Sequence, residues 1–87
     1  MSKIKDIHDA VTSGNYKDIG SLVKSAIDNG TSLEDIINKA LSAAMIEVGD
    51  KFGSGELYMP DMLLAAKAMK TAMEIIKPLL KGSEHLS

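Results

Sequence analysis

Two histidines and one close carboxylate pair are the groups of this 87-residue chain that could carry protons or hold a metal ion. His8 lies in Asp6-Ile7-His8-Asp9, on a helical pattern whose apolar positions, Ile7 and Val11, turn the imidazole outward. His85 sits in a polar stretch close to the C-terminus. No spacing sets either histidine beside a third ligand, so a histidine-held metal is not supported. Glu47 and Asp50 stand three residues apart on one helical face, and such a face is ordinarily solvated. A di-iron bundle needs Glu-x-x-His on two helices, which this chain lacks. No Ser-His-Asp set is visible, and Gly53-Ser54-Gly55 is not followed by the lysine-bearing helix start of a phosphate loop.

The residues that do concentrate are apolar. In the stretch MIEVGDKFGSGELYMP, residues 45–60, a helix arriving through Ala44, Val48 and Phe52 meets Gly53 and Gly55, which allow backbone conformations that a Cβ disfavours. Pro60 suits the first turn of the next helix, where a missing amide hydrogen costs nothing. Around this bend lie Phe52, Leu57, Tyr58, Met59 and Met62, a set that looks built to present a surface. Methionine, present six times, fills irregular apolar gaps or lines adaptable binding surfaces.

Four helical patterns must position that bend. The first uses Ile4, Ile7 and Val11 and ends at Ser13-Gly14. The second runs through Tyr16, Ile19, Val23 and Ile27 and stops at Asn29-Gly30. The third opens with Thr31-Ser-Leu-Glu34, a capping box, and carries Leu33, Ile36, Ile37, Ala40, Leu41, Ala44, Met45, Val48 and Phe52. The fourth starts at Pro60 and repeats Met62, Leu63, Ala66, Met69, Met73, Ile76, Leu79 and Leu80, with a kink or end predicted near Lys77 because Pro78 follows. No segment alternates as a half-buried strand does. Short connections favour antiparallel neighbours, so the predicted fold is all-α, an up-and-down antiparallel four-helix bundle over 1–81, with 82–87 as a tail or linker.

Composition narrows the function classes. Net charge is −2, all ten basic residues are lysines, tryptophan is absent and the aromatic residues are two tyrosines and one phenylalanine. That is a poor footprint for nucleic acid, which asks for clustered positive charge and stacking rings. With no cysteine there is no disulfide framework and no thiolate chemistry. No signal peptide is evident, and the apolar runs fall far short of the ~20 residues of a membrane span. A cytoplasmic protein without a membrane segment is expected.

The run Val48-Gly49-Asp50-Lys51-Phe52-Gly53-Ser54-Gly55-Glu56, then Met59-Pro60, then an alanine- and methionine-rich helix reaching Lys77-Pro78, resembles the helical cap of cobalamin-dependent methyltransfer proteins. These are the small corrinoid proteins of methanol and methylamine metabolism and the matching module of cobalamin-dependent methionine synthase. The similarity covers essentially the whole chain and is strongest over 41–78. It implies a bundle seated over the upper face of a corrinoid that a following α/β domain holds, with Phe52, Met59 and Met62 against the cobalt-bound methyl group and the ring. Met59 stands where leucine is common, Met62 where an aliphatic residue is common, and Tyr58 where phenylalanine is frequent. Light-sensing cobalamin regulators use the same bundle with a tryptophan that this chain lacks.

The family's cobalamin domain takes its lower cobalt ligand from an Asp-x-His-x-x-Gly motif. Asp6-Ile-His8-Asp-Ala-Val11 mimics its start, but Val11 replaces the glycine and the context is helical, so the match is coincidental. The resemblance therefore implies a non-catalytic cap module that shields methylcobalamin and does not bind the cofactor by itself. Its implied partners are a cobalamin-binding α/β domain beyond the linker and methyltransferase subunits. The alternative is a helical interaction bundle without cofactor that self-associates, as a homodimer, through the same apolar face.

Overall fold

The structure, a computed structural model, describes residues 3–84. Helix α1 (Lys3–Thr12) leads through a tight turn to α2 (Tyr16–Asp28). A third rod follows in three pieces: α3 (Leu33–Asp35), a π-helical segment (Ile36–Ser42) and α4 (Ala43–Gly53). After a short turn α5 (Met59–Glu84) completes four rods whose direction alternates along the chain, and no strand occurs among the described residues. The fold is the expected all-α, up-and-down bundle.

Start and stop signals act largely where the sequence places them, with instructive shifts. The α2 cap is Asn15, whose side-chain oxygen accepts the Asp18 amide at 3.3 Å while its amide nitrogen donates to the Asp18 carboxylate at 3.0 Å. The third rod is capped by Ser32, one residue later than predicted, since its hydroxyl accepts the Asp35 amide at 3.1 Å. Thr31 instead closes the preceding helix: its amide donates to Ala26 O at 3.0 Å, one of the two bonds that finish α2 around Gly30. The π-helical turns had no signal in the sequence, because no residue type marks them. They are visible only as a widened stretch that packs on α1 and buries both Ile36 and Leu41.

Helix α5 does not end near Lys77. It runs through Pro78 and Gly82 to Glu84, and His85 to Ser87 lie outside the described residues. Pro78 forfeits a single backbone bond, while Ile76 before it is buried and Leu80 after it packs on the core. That packing on both sides outweighs the loss.

One core joins all rods. Ile7 and Val11 of α1, Ile19 and Val23 of α2, Ile36 and Leu41 of the π segment, Val48 of α4 and Ile76 of α5 are fully buried. Burying each such side chain is worth about 1.5–3 kcal/mol. On α5 the buried line is Ala65, Ala68, Ala72 and Ile76, small residues that let α5 approach its neighbours closely. Leu63, Ala66 and Leu79, predicted in the α5 stripe, are exposed. Apolar residues cover more than half the circumference of this helix, so periodicity alone could not choose the inward side.

Helix α2 packs mainly on α1 and α5. A Cβ placed on Gly14 would lie 2.7 Å from Leu64 Cβ, the Lys67 ammonium sits 4.1 Å over the Tyr16 ring, and a Cβ on Gly20 would meet Ile75 Cδ1 at 3.5 Å. These pairs advance in the same sense along both helices, so α2 and α5 are parallel neighbours.

Candidate functional site

The bend between α4 and α5 is held by one carbonyl. Lys51 O accepts from the amides of Glu56 at 2.8 Å and Leu57 at 3.1 Å and from the Ser54 hydroxyl at 3.1 Å. With the Gly55 amide on Phe52 O at 3.2 Å, this is a Schellman closure, which needs a left-handed residue at Gly55, where φ is +86°. Gly53, expected to share that role, is ordinary helix, and a Cβ there would meet nothing within 4 Å. Leu57 then turns inward and packs on the core, anchoring the loop.

The next helix begins one residue before Pro60. Tyr58 is its cap: its amide donates to Asp61 Oδ2 at 3.1 Å, and its carbonyl accepts the amides of Asp61 and Met62. Half of a reciprocal cap is thus supplied by an acidic side chain, which also suits the positive end of the helix.

These two devices bring the predicted site residues to one end of the bundle. Phe52 sits in the last turn of α4, Met59 and Met62 in the first turn of α5. Phe52 is 37% and Met59 53% exposed, while Met62 is half-buried against the core. Tyr58 is 71% exposed. Sequence reasoning missed that Leu63 and Leu64 are exposed on the same end of α5, extending the apolar surface beyond the three predicted residues. The spacing Met59-Leu63, one turn apart, was the available signal.

A further set of polar groups lies between α1 and α4. His8, read as outward, is instead half-buried between α1 and α4, with Nδ1 3.1 Å from Asp9 Oδ1 and Nε2 3.6 Å from Glu47 Oε1. Helical periodicity placed it off the core but could not show that α4 passes beside it. Glu47 also faces the Lys51 ammonium at 3.6 Å, the i,i+4 pairing its position suggests. Hydrogen bonds from Lys5 and then His8 hold the Asp9 carboxyl below its ordinary range, and the bond to Asp9 raises Lys5. No group of three histidine, cysteine or acidic side chains able to hold a metal occurs among the described residues. This end of the bundle exposes Phe52, Tyr58, Met59, Leu63 and Leu64, and no helix among the described residues is long and apolar enough to cross a membrane.

Residues 3–77 match the family model described as B12 binding domain. Monomethylamine corrinoid protein 2 of Methanosarcina acetivorans is 40% identical over 75 residues, 86% of this chain and 35% of that protein. Trimethylamine corrinoid protein 1 of the same organism is 39% identical over 70 residues, 80% of this chain and 32% of that protein. The solved structure of the Methanosarcina barkeri monomethylamine corrinoid protein superposes with a TM-score of 0.84 at 39% identity, over 86% of this chain and 35% of that one. The chain thus spans about a third of the length of these relatives.

Proposed function

The chain belongs to the B12 binding domain family, the helical domain of the corrinoid proteins it resembles, and from that premise we propose that it caps the upper face of a corrinoid in methylamine-type methyl transfer. Phe52 and Met59 rest against the corrin face, and Met62 backs them from the core. The observation that carries this reading is the rigid presentation of Phe52 and Met59: both stay exposed although the backbone around them is fully tied by Lys51 O, Gly55 and the Tyr58–Asp61 cap.

The residues present fit such a cofactor by contact and not by ligation. Both nitrogens of His8 already face carboxylates, and the exposed end offers thioether, phenyl and aliphatic groups. When bound, cobalamin supplies a transferable cobalt-bound methyl group and a strongly reducing cobalt centre after transfer. The task left to Phe52 and Met59 is to exclude water and oxidants from that face. In this reading the domain is a non-catalytic module, and it acts beside a separate cobalamin-binding α/β domain and methyltransferase subunits. Donor and acceptor must reach the same face, so the bundle swings aside as a unit during turnover. We place the hinge at Lys81-Gly82-Ser83, where glycine and serine are the weakest helix formers of the last turn of α5.

The test joins this chain to its cobalamin-binding domain and follows photolysis and air oxidation of the bound cofactor. Phe52→Ala and Met59→Ala should each accelerate the loss. Rates equal to those of the parent protein would sink the cap reading.

A second reading is favoured by the exposure of Tyr58, Met59, Leu63 and Leu64 together: a homodimer closed through this end. Sedimentation velocity over a concentration series separates the two. Concentration-dependent dimers abolished by Phe52→Ala support self-association, and a monomer at all concentrations removes it.

A further inference from the structure

All sulfur in this chain is thioether sulfur, from six methionines and no cysteine. Four of the methionines, Met59, Met62, Met69 and Met73, follow one flank of α5, with Ala66 filling the remaining turn of the row. Steps of three and four residues keep such side chains in line. Their exposure is graded. Met62, Met69 and Met73 are half-buried and pack on the core, as does Met45 of α4, whereas Met59 at the head of the helix is 53% exposed.

We propose that Met59 is an oxidation site of this domain, taking an oxygen atom from hydrogen peroxide or an organic hydroperoxide. A sulfur lone pair attacks one peroxide oxygen, the O–O bond breaks and an S–O bond forms. Sulfur gives up two electrons, and the peroxide leaves as water or an alcohol with the proton it carried. No thiolate in the chain competes for the oxidant. The neighbouring methionines are screened by the core they pack on. The product sulfoxide is polar and chiral, and sulfoxide reductases return it to the thioether.

The consequence rests on the cap reading: a sulfoxide at Met59 puts a strong hydrogen-bond acceptor into the face meant to exclude water, so oxidation loosens the lid.

The experiment treats the 87-residue chain with hydrogen peroxide and localises sulfoxide by peptide mass spectrometry, with fragment ions separating Met59 from Met62 in the tryptic peptide Phe52 to Lys67. In buffer, Met59 should oxidise about threefold or more faster than Met62, Met69 or Met73, as exposure dictates, and in strong urea that ranking should collapse. A native rate at Met59 no higher than at those three overturns the proposal. A second arm uses the chain joined to its cobalamin domain and compares photolysis in Met59→Gln, a polar stand-in, with Met59→Leu. Faster loss with glutamine supports the loosened lid. Equal loss with Met59 still oxidised first leaves the modification site standing and refutes its effect on the cap.

Discussion

His8 of α1 reaches across to Glu47 of α4, Nε2 to Oε1 3.6 Å, and Glu47 in turn faces Lys51, whose carbonyl closes the bend that displays Phe52 and Met59. The polar side of the bundle is thereby linked to the geometry of its apolar end. Because these side chains are partly exposed, the link steadies a position more than it stabilises the fold. A double-mutant cycle of His8→Ala and Glu47→Ala, read by urea unfolding, should give a coupling of about 0.2–1 kcal/mol. A larger value would mean that the pair is a main support of the α1–α4 contact.

Gly14 should be the least replaceable glycine. Its φ is +71° and an added Cβ would meet Leu64 Cβ at 2.7 Å, backbone-proximal carbon on a helix that cannot easily retreat. Gly14→Ala should cost about 2 kcal/mol or more, the left-handed penalty of about 1–2 kcal/mol plus the displacement of α5. Gly53→Ala, in open helical surroundings, should instead stabilise by about 0.5–1 kcal/mol. Equal effects in chemical denaturation would contradict the assigned backbone conformations.

Core and display residues should separate cleanly. Ile76→Ala empties a fully buried position and should cost about 2–5 kcal/mol. Met59→Ala removes a side chain that is about half exposed and outside the buried core, so its cost should stay within about 0.5 kcal/mol. A large loss at Met59 would assign it to the fold and remove it from the presented surface.

Acid should act on Asp9 with a defined sign. Its carboxyl is held below the ordinary value of 3.8 in the folded chain, first by the Lys5 hydrogen bond and then by His8. A group depressed on folding stabilises above its unfolded pKa and ceases to do so as pH falls through the folded value. Asp9→Asn should therefore flatten the stability profile below about pH 4, with a small amplitude because both partners are exposed to solvent. An unchanged acid limb in pH-dependent thermal melts would show that the Lys5–Asp9 pair forms equally in the unfolded chain.

Isolated from a cobalamin domain, the chain should leave the absorption spectrum of added methylcobalamin unchanged, since its surface offers contact without a cobalt ligand. A saturable spectral shift would show that the domain binds the cofactor unaided.

The number of rods, their helical character and the apolar bend followed from the sequence alone, because they depend on local physics: period-3.6 patterning, a glycine that permits a left-handed turn, and a proline suited to a first turn. That Phe52, Tyr58 and Met59 crowd one bend was legible for the same reason, since a turn dense in large apolar residues is conspicuous whatever surrounds it, whereas choosing Phe52, Met59 and Met62 as the face toward a ligand rested on the family resemblance. Other features required the packed bundle. Which flank of α5 is buried depends on where α2 lies, and the Gly14–Leu64 and Tyr16–Lys67 approaches join residues about fifty apart in the chain. The His8–Glu47 link and the π-helical fit against α1 depend likewise on a neighbouring rod. The passage of α5 through Pro78 is decided by burial on either side of it, which outweighs the local signal to stop. Local propensities select the elements, but the faces they hide and the surface they leave exposed are set by contacts between residues distant in sequence.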